Sequence, residues 1–445
     1  MQTPRTTNPV QLLRAPLPLF WVALLVRIVY ITLAHTYRIR LSQDHLQFGW
    51  EMGRIARALV TGFGYADPFT GHTGPTAWAP PLYPLLLAGV FKIFGVYTAK
   101  SAFVILTLNS IFSAATAPLV FEIAARCFRG VVQGAKVALW SGWLWALHPA
   151  IIQYAVHWVW DMALTAYLFS WILVLTLRLR AIGDSLDTHP QTTRRWLLFG
   201  LLWGLLALCN STPLLFLSAC AIWVLAGAWG SHVFTPALVR AALAGIVFCC
   251  CLSPWILRNY EVFHALIPMR GNLGAELHQS VLEQNDGFPW GATIPVADHA
   301  PTYLRYKTMG EYAYVQQENV VAKQYISHHK RRFFELALKR AYFFWVSVPH
   351  PFENGAKGVF VEMAREINFC FLSLSGLLGL ALALKEHIPG ARLFLWAFLL
   401  IPITYYFITV QARFRHPLEP LIVIFTCYLF LSATPRSTAV PVSEL

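Results

Sequence analysis

Charge is what this sequence has least of. Only 12% of its residues are charged, against 57% hydrophobic, where a soluble domain carries about 25% charged residues. A chain so poor in charge cannot cover a water-facing surface, so it reads as a polytopic membrane protein. Acid is scarcer than base: 21 Asp and Glu stand against 34 Lys and Arg, for a net charge of +13. In a membrane chain that excess fits positive-inside anchoring and contact with anionic lipid. The basic residues are scattered over several loops, so nucleic acid is not an expected partner. Most of the 8 cysteines sit inside apolar runs and none lies in 257–365, which argues against a disulfide framework or a zinc site. No Gly-rich phosphate loop or Walker pattern is found, and no internal repeat or long linker.

What the chain does have is long apolar runs, at 16–35, 101–125, 137–151, 158–177, 196–209, 213–230, 237–256, 367–384, 391–410 and 417–433. Several approach the ~20 residues needed to cross a bilayer. The expectation is an all-α polytopic membrane protein of about ten transmembrane helices, one domain over 1–433. Residues 1–15 read as a cytoplasmic tail rather than part of a signal peptide, since no small-residue cleavage pattern follows. Residues 434–445 read as a disordered cytoplasmic tail. The segment 81–97 is ambiguous, and parity decides it. If it lies on the membrane without crossing, the loops bearing Arg126, Arg129 and Lys136, then Arg178, Arg180, Arg194 and Arg195, then Arg240, then Lys385 and Arg392, all face the cytoplasm. Three polar regions then face outward: 36–97 with interfacial helices, a large, mostly helical loop 257–365, and the short loop before the last span. Helical pattern at 311–346 implies packing on the membrane surface, with Phe333, Phe334, Phe343, Phe344 and Trp345 at headgroup depth.

Candidate chemistry concentrates in those outer regions. Phe48, Met52, Ile55 and Leu59 recur at helical spacing, predicting a short amphipathic helix over 46–60 with Glu51, Arg54 and Ala58 on its other side. Glu51 is a candidate base or simply the partner of Arg54 at i,i+3. Asp44 is a candidate or a helix N-cap. Asp67, just before Pro68, reads as a turn residue. Asp161, in HWVWDMALTAYLF, stands at the outer end of a span, where a carboxylate is costly and therefore suspect. Arg258 leaves the membrane after Pro254 and Trp255, and Arg270 and Asn272 follow in a turn with Gly271 and Gly274. Such arginines either snorkel or hold a phosphate at headgroup depth. Arg413, Arg415 and His416 form a third cluster, and its place on the outer side breaks the positive-inside pattern.

The order of these features resembles the polytopic C-superfamily glycosyltransferases that use polyprenyl-phosphate sugars, among them protein O-mannosyltransferases and the aminoarabinose transferases of lipid A. The matching stretches are WEMGRIARALVTGFGYADPF with APPLYPLLLAGVFKIFG, then HWVWDMALTAYL, then SPWILRNYEVFHALIPMRGNLGAEL, then ARFRHPLEPL. Together they span about 16–433. The resemblance implies an acidic residue in the first outer loop that acts as general base or binds the acceptor. The usual pattern puts an Asp about two turns before the Ala of the helix that ends in Gly-x-Gly-Tyr. Counting back from Ala56 reaches Phe48, so this chain departs there, and Glu51 is the nearest carboxylate, with Asp44 on the other side. The resemblance further implies Asp161 as the acid of the later span, Arg258, Asn259 and Arg270 at the basic exit, and Arg413, Arg415 and His416 as donor-phosphate contacts.

The implied activity moves a sugar from a polyprenyl-phosphate donor to a glycan, lipid or protein acceptor, with inversion, on the outer face of a bacterial inner membrane. A divalent metal is compatible with this chemistry but has no ligand cluster in the sequence. The rival classes are a lipid or polysaccharide flippase and a non-catalytic subunit of an envelope glycan assembly complex. A flippase would be expected to place charges near the bilayer midplane and to show inverted repeats, whereas the polar residues here gather on one face.

Overall fold

A computed structural model describes residues 16–39, 48–184, 190–282, 294–295, 300–348 and 356–433. All regular structure among the described residues is helical. Six helices are long and apolar enough to cross a membrane: Pro16–Leu33, Ala99–Cys127, Met162–Leu179, Phe234–Phe263, Met363–Lys385 and Ala412–Ser432. Leu82–Phe94, Thr212–Ala226 and Ala391–Phe407 are apolar but shorter. In chain order the α-helices are α1 (Pro16–Leu33), α2 (Glu51–Val60), α3 (Leu82–Phe94), α4 (Ala99–Cys127), α5 (Gly134–Leu147), α6 (Pro149–Val156), α7 (Met162–Leu179), α8 (Thr193–Cys209), α9 (Leu217–Ala226), α10 (Phe234–Phe263), α11 (Leu273–Gln279), α12 (Pro301–Met309), α13 (Glu311–His328), α14 (Lys330–Val346), α15 (Ala356–Lys385), α16 (Ala391–Phe407) and α17 (Glu419–Ser432).

Two apolar runs are not single helices. The run 137–151 breaks at His148, where Pro149 starts α6 at the helical position that needs no N–H donor. The run 213–230 opens as a 3₁₀ turn, Thr212–Phe216, before α9. The core is the bundle interior, where α4 packs against α1, α5 and α7, α10 lies along α8, and α15 lies along α17. Arg27 is a charge buried inside it. Arg27 on α1 donates to Ser113 Oγ at 3.1 Å and to the carbonyls of Ala23 and Ala146 at 2.9 and 2.8 Å. Those acceptors are what let a guanidinium sit within a span.

Local packing departs from the sequence expectation at two points. The helix expected over 46–60 begins only at Glu51, because Trp50 takes a left-handed φ of 52° and resets the chain direction. Gly53 makes this turn fit, since a Cβ there would come within 1.9 Å of the Phe48 carbonyl oxygen. The helix is buried over most of its circumference, at Gly53, Arg54, Ile55, Ala56 and Ala58 alike, so Arg54 is not on a polar face. In the large loop the helical pattern splits at His329 into α13 and α14. Phe343 and Phe344 are buried against the protein. Phe344 stacks on Tyr405 of α16 at 6.0 Å, and Trp345 stacks on Phe398 at 5.7 Å.

Candidate active site

The first loop is held in shape by the large loop. Asp67, at φ 57°, accepts from the backbone N–H groups of Thr73 and Gly74 at 2.8 and 3.0 Å, and pairs with His72 at 2.9 Å. It is the turn residue expected from the sequence. Glu311, at the start of α13, is buried and accepts from Thr76 Oγ1, from Ala77 N at 2.6 Å and from Tyr306 OH at 2.7 Å. Burial pushes its carboxyl upward, against those three hydrogen bonds. Gly271 N donates to the Ala77 carbonyl at 2.8 Å, and Arg270 Nε to that of Trp78 at 3.1 Å.

Several residues singled out from the sequence serve this scaffold. Arg258 Nη1 donates to Thr76 O at 2.6 Å and to Asn259 Oδ1 at 2.9 Å, and its Nη2 to Tyr65 O at 2.7 Å. Its guanidinium also lies 5.3 Å from the rings of both Tyr65 and Trp255. Asn259 is buried and donates to Ile267 O at 2.9 Å. Arg415 is buried in an ion pair with Glu419 at 2.7 Å, donates to Phe369 O at 3.0 Å and to Ser373 Oγ, and lies over the Phe369 ring. His416 is buried between Trp145 and Tyr154, with neither ring nitrogen hydrogen-bonded.

A second set converges differently. Asp161 caps the start of α7, is buried, and accepts from Asn210 Nδ2 at 3.2 Å and Thr165 Oγ1 at 3.4 Å. Burial raises its carboxyl above the ordinary range, opposed first by Arg270 and then by Arg413. Glu276 on α11 accepts from Asn272 Nδ2 and from Thr409 Oγ1, both at 3.1 Å. Its carboxyl is raised by burial and further by Glu51, and is opposed by Arg270 and Arg413. Arg413 lies 3.9 Å over the Trp160 ring, itself stacked on Trp158, and has Glu51, Asp161 and Glu276 within electrostatic reach. Glu51 is half-buried at the first turn of α2. Among the described residues neither Glu51 nor Arg413 is held by a hydrogen bond or an ion pair. Three carboxylates and two guanidinium groups thus lie within electrostatic reach of one another, with no direct ion pair among them in the described residues.

Glu276 was not among the residues singled out from the sequence. The signal was available: it is the one carboxylate in the Arg270–Gly271–Asn272 turn and the short helix that follows. Asp44 lies outside the described residues. Among the described residues no group of three or more His, Cys, Asp or Glu side chains could hold a metal ion.

In sequence, no protein-family model and no curated protein matches the chain. In structure it overlays on the Archaeoglobus fulgidus oligosaccharyltransferase tethered to an acceptor peptide containing the NVT sequon, with TM-score 0.52 and 14% identity. The likeness is one of fold: the helices of this chain are arranged as in that oligosaccharyltransferase. The overlay covers 94% of this chain and 49% of the oligosaccharyltransferase, so the chain spans about half that protein's length. The same archaeal enzyme in complex with an inhibitory peptide and a dolichol-phosphate gives TM-score 0.52 at 14% identity, covering 94% and 50%. ArnT from Cupriavidus metallidurans bound to undecaprenyl phosphate overlays more loosely, with TM-score 0.38, 15% identity, and 93% and 77% covered, and carries no weight here.

Proposed function

We propose that the chain is an integral membrane glycosyltransferase that moves a sugar from a polyprenyl-phosphate donor to an acceptor hydroxyl or amine, at the outer face of the membrane. The observation that carries this reading is Arg413, engaged by no hydrogen bond or ion pair among the described residues and within electrostatic reach of Glu51, Asp161 and Glu276. The dolichol-phosphate held by the archaeal oligosaccharyltransferase of the same fold supports the donor class. Glu51 takes the proton from the acceptor as its oxygen or nitrogen bonds to the anomeric carbon. The bond from that carbon to the phosphate oxygen breaks, and Arg413 and Arg270 take up the charge that develops on the departing lipid phosphate. In-line attack inverts the anomeric centre. Asp161 and Glu276, whose burial favours the protonated form, hydrogen-bond the sugar or the acceptor. Arg258, Asn259, Arg415 and His416 act through the loops and helices they hold.

The outer placement rests on the distribution of Lys and Arg. At the other end of the bundle Glu122 accepts from Arg126 at 2.9 Å and Arg178 at 2.6 Å, and Arg129 donates to Gly183 O, so the basic loops assigned to the cytoplasm cluster away from the carboxylates. Binding of a polyprenyl phosphate to purified protein tests the donor assignment. Arg413→Gln should weaken it about 10- to 100-fold, the equivalent of one lost charge-assisted hydrogen bond of ~1.5–3 kcal/mol. Unchanged binding in that variant would overturn the assignment.

A further inference from the structure

The helices that carry the site converge at their far ends on a second cavity. The 18 residues of α7 span about 27 Å at ~1.5 Å per residue, so Arg180, at its C-cap, stands roughly a membrane's thickness from Asp161. Arg180, Gln191, Thr192, Gly227, Val233 and Arg240 line most of a cavity of about 270 Å³, and none of the described lining residues is acidic. Arg180 Nη1 donates to Trp223 O at 2.7 Å while the guanidinium lies 4.3 Å over the Trp223 ring. Arg240 Nη1 donates to Gln191 O at 2.7 Å. Among the described residues no further hydrogen bond or ion pair engages either guanidinium.

Three other features belong to the same place. Thr192 caps α8, so the positive end of a 17-residue helix meets the cavity. Gln191 Oε1 is buried with no hydrogen-bond partner, an acceptor that calls for a donor. A Cβ on Gly227 would stand 2.7 Å from Arg180 Nε, so glycine is what lets the guanidinium lie there. The surroundings suit lipid: Trp229 is 75% exposed beside exposed Leu238 and Val239, and it packs edge-on against Phe234 at 4.9 Å. Exposed Trp of this kind marks headgroup depth.

We propose that this cavity binds a phosphate-bearing anion on the face opposite the transfer site. The phosphate lies against Arg180, Arg240 and the first N–H groups of α8, and a hydroxyl or ammonium beside it donates to Gln191 Oε1. An anionic or hydroxylated phospholipid headgroup and free phosphate share the first part of this chemistry; the headgroup supplies the second from its own hydroxyl or ammonium, free phosphate only from a P–OH.

The test uses the full chain in nanodiscs of phosphatidylcholine, with short-chain phosphatidylglycerol and inorganic phosphate as separate probes, and native mass spectrometry as the readout for lipid. Wild type should bind phosphatidylglycerol at least about tenfold more tightly than Arg180→Gln/Arg240→Gln, the equivalent of ~1.4 kcal/mol, while Arg240→Lys keeps most of the binding. Failure of millimolar phosphate to displace the lipid identifies the headgroup as the ligand. Displacement of the lipid by phosphate, lost in the double variant, identifies free phosphate. Equal binding of both probes by wild type and a double variant with wild-type melting temperature overturns the proposal. If the double variant does not fold, Arg240→Gln, which forfeits only the bond to the Gln191 carbonyl, makes the same comparison. Donor turnover at the opposite face should be unchanged in the variant, so this result and the transferase reading stand or fall separately.

Discussion

Glu51→Gln separates chemistry from folding at the proposed base. Among the described residues the carboxylate of Glu51 holds no hydrogen bond and no ion pair, and it is half-buried at the first turn of α2. An amide of the same shape therefore removes nothing that the fold uses. The change in stability should stay within ±0.5 kcal/mol, as for surface substitutions that break no partner. The proton acceptor, by contrast, is lost outright. General-base catalysis contributes about 10²- to 10⁴-fold, so turnover should fall by that factor, or ~3–5 kcal/mol of barrier. Glu311→Gln is the internal control. That carboxylate accepts three hydrogen bonds that pin the first loop, and an amide nitrogen would face a donor at one of them, so melting temperature should drop along with activity. The assay is sugar transfer from a polyprenyl-phosphate donor, read beside a thermal melt of the same preparation. Wild-type turnover in Glu51→Gln would refute the assignment of the base, and a large loss of stability would refute the view that the residue is structurally idle.

The remaining expectations concern burial, charge and sidedness. Arg415→Ala leaves Glu419 buried without its partner and should cost about 3–5 kcal/mol in a denaturation experiment, whereas Arg413→Gln should leave the melting curve nearly unchanged. Asp161 has a folded pKa raised by burial, so its contribution to stability is fully present below the ordinary carboxylate range and is lost as pH rises through the raised value. Asp161→Asn should therefore melt above wild type at neutral pH and level with it near about pH 4; a gap that widens toward acid would contradict that sign. His72 has an exposed side chain in the first loop, and a cysteine introduced there should react with an impermeant thiol reagent applied from outside. Labelling only after permeabilisation would invert the topology.

That the chain is helical, with helices apolar enough to cross a membrane, could be read from the apolar runs, because a long run free of charge follows from the cost of placing charge in lipid. The candidate residues were legible as a set of segments. Glu51, Asp161, Arg270 and Arg413 lie in the quoted motifs, and the fold brings them within electrostatic reach of one another. What each arginine does was not legible. Arg258 and Arg413 look alike as basic residues at a membrane boundary, yet Arg258 bonds to Thr76, 182 residues away in sequence, while Arg413 rests on Trp160. Only the fold tells a committed guanidinium from a free one. Arg54 was misplaced because periodicity assumes one solvated face, whereas this short helix is packed on most sides, at Gly53, Arg54, Ile55, Ala56 and Ala58. Glu276 was overlooked because its neighbour Thr409 and its electrostatic partners Glu51 and Arg413 lie far away along the chain.

The most direct test of the central claim is a reaction of the purified full-length protein with a radiolabelled polyprenyl-phosphate sugar and a crude mixture of envelope acceptors, in a bilayer, followed by the release of free polyprenyl phosphate. The proposed mechanism predicts release coupled one-to-one with sugar appearing on an acceptor, and loss of both in Glu51→Gln and Arg413→Gln. Donor that stays intact with wild-type protein, or that crosses the bilayer with its sugar still attached, would contradict the claim.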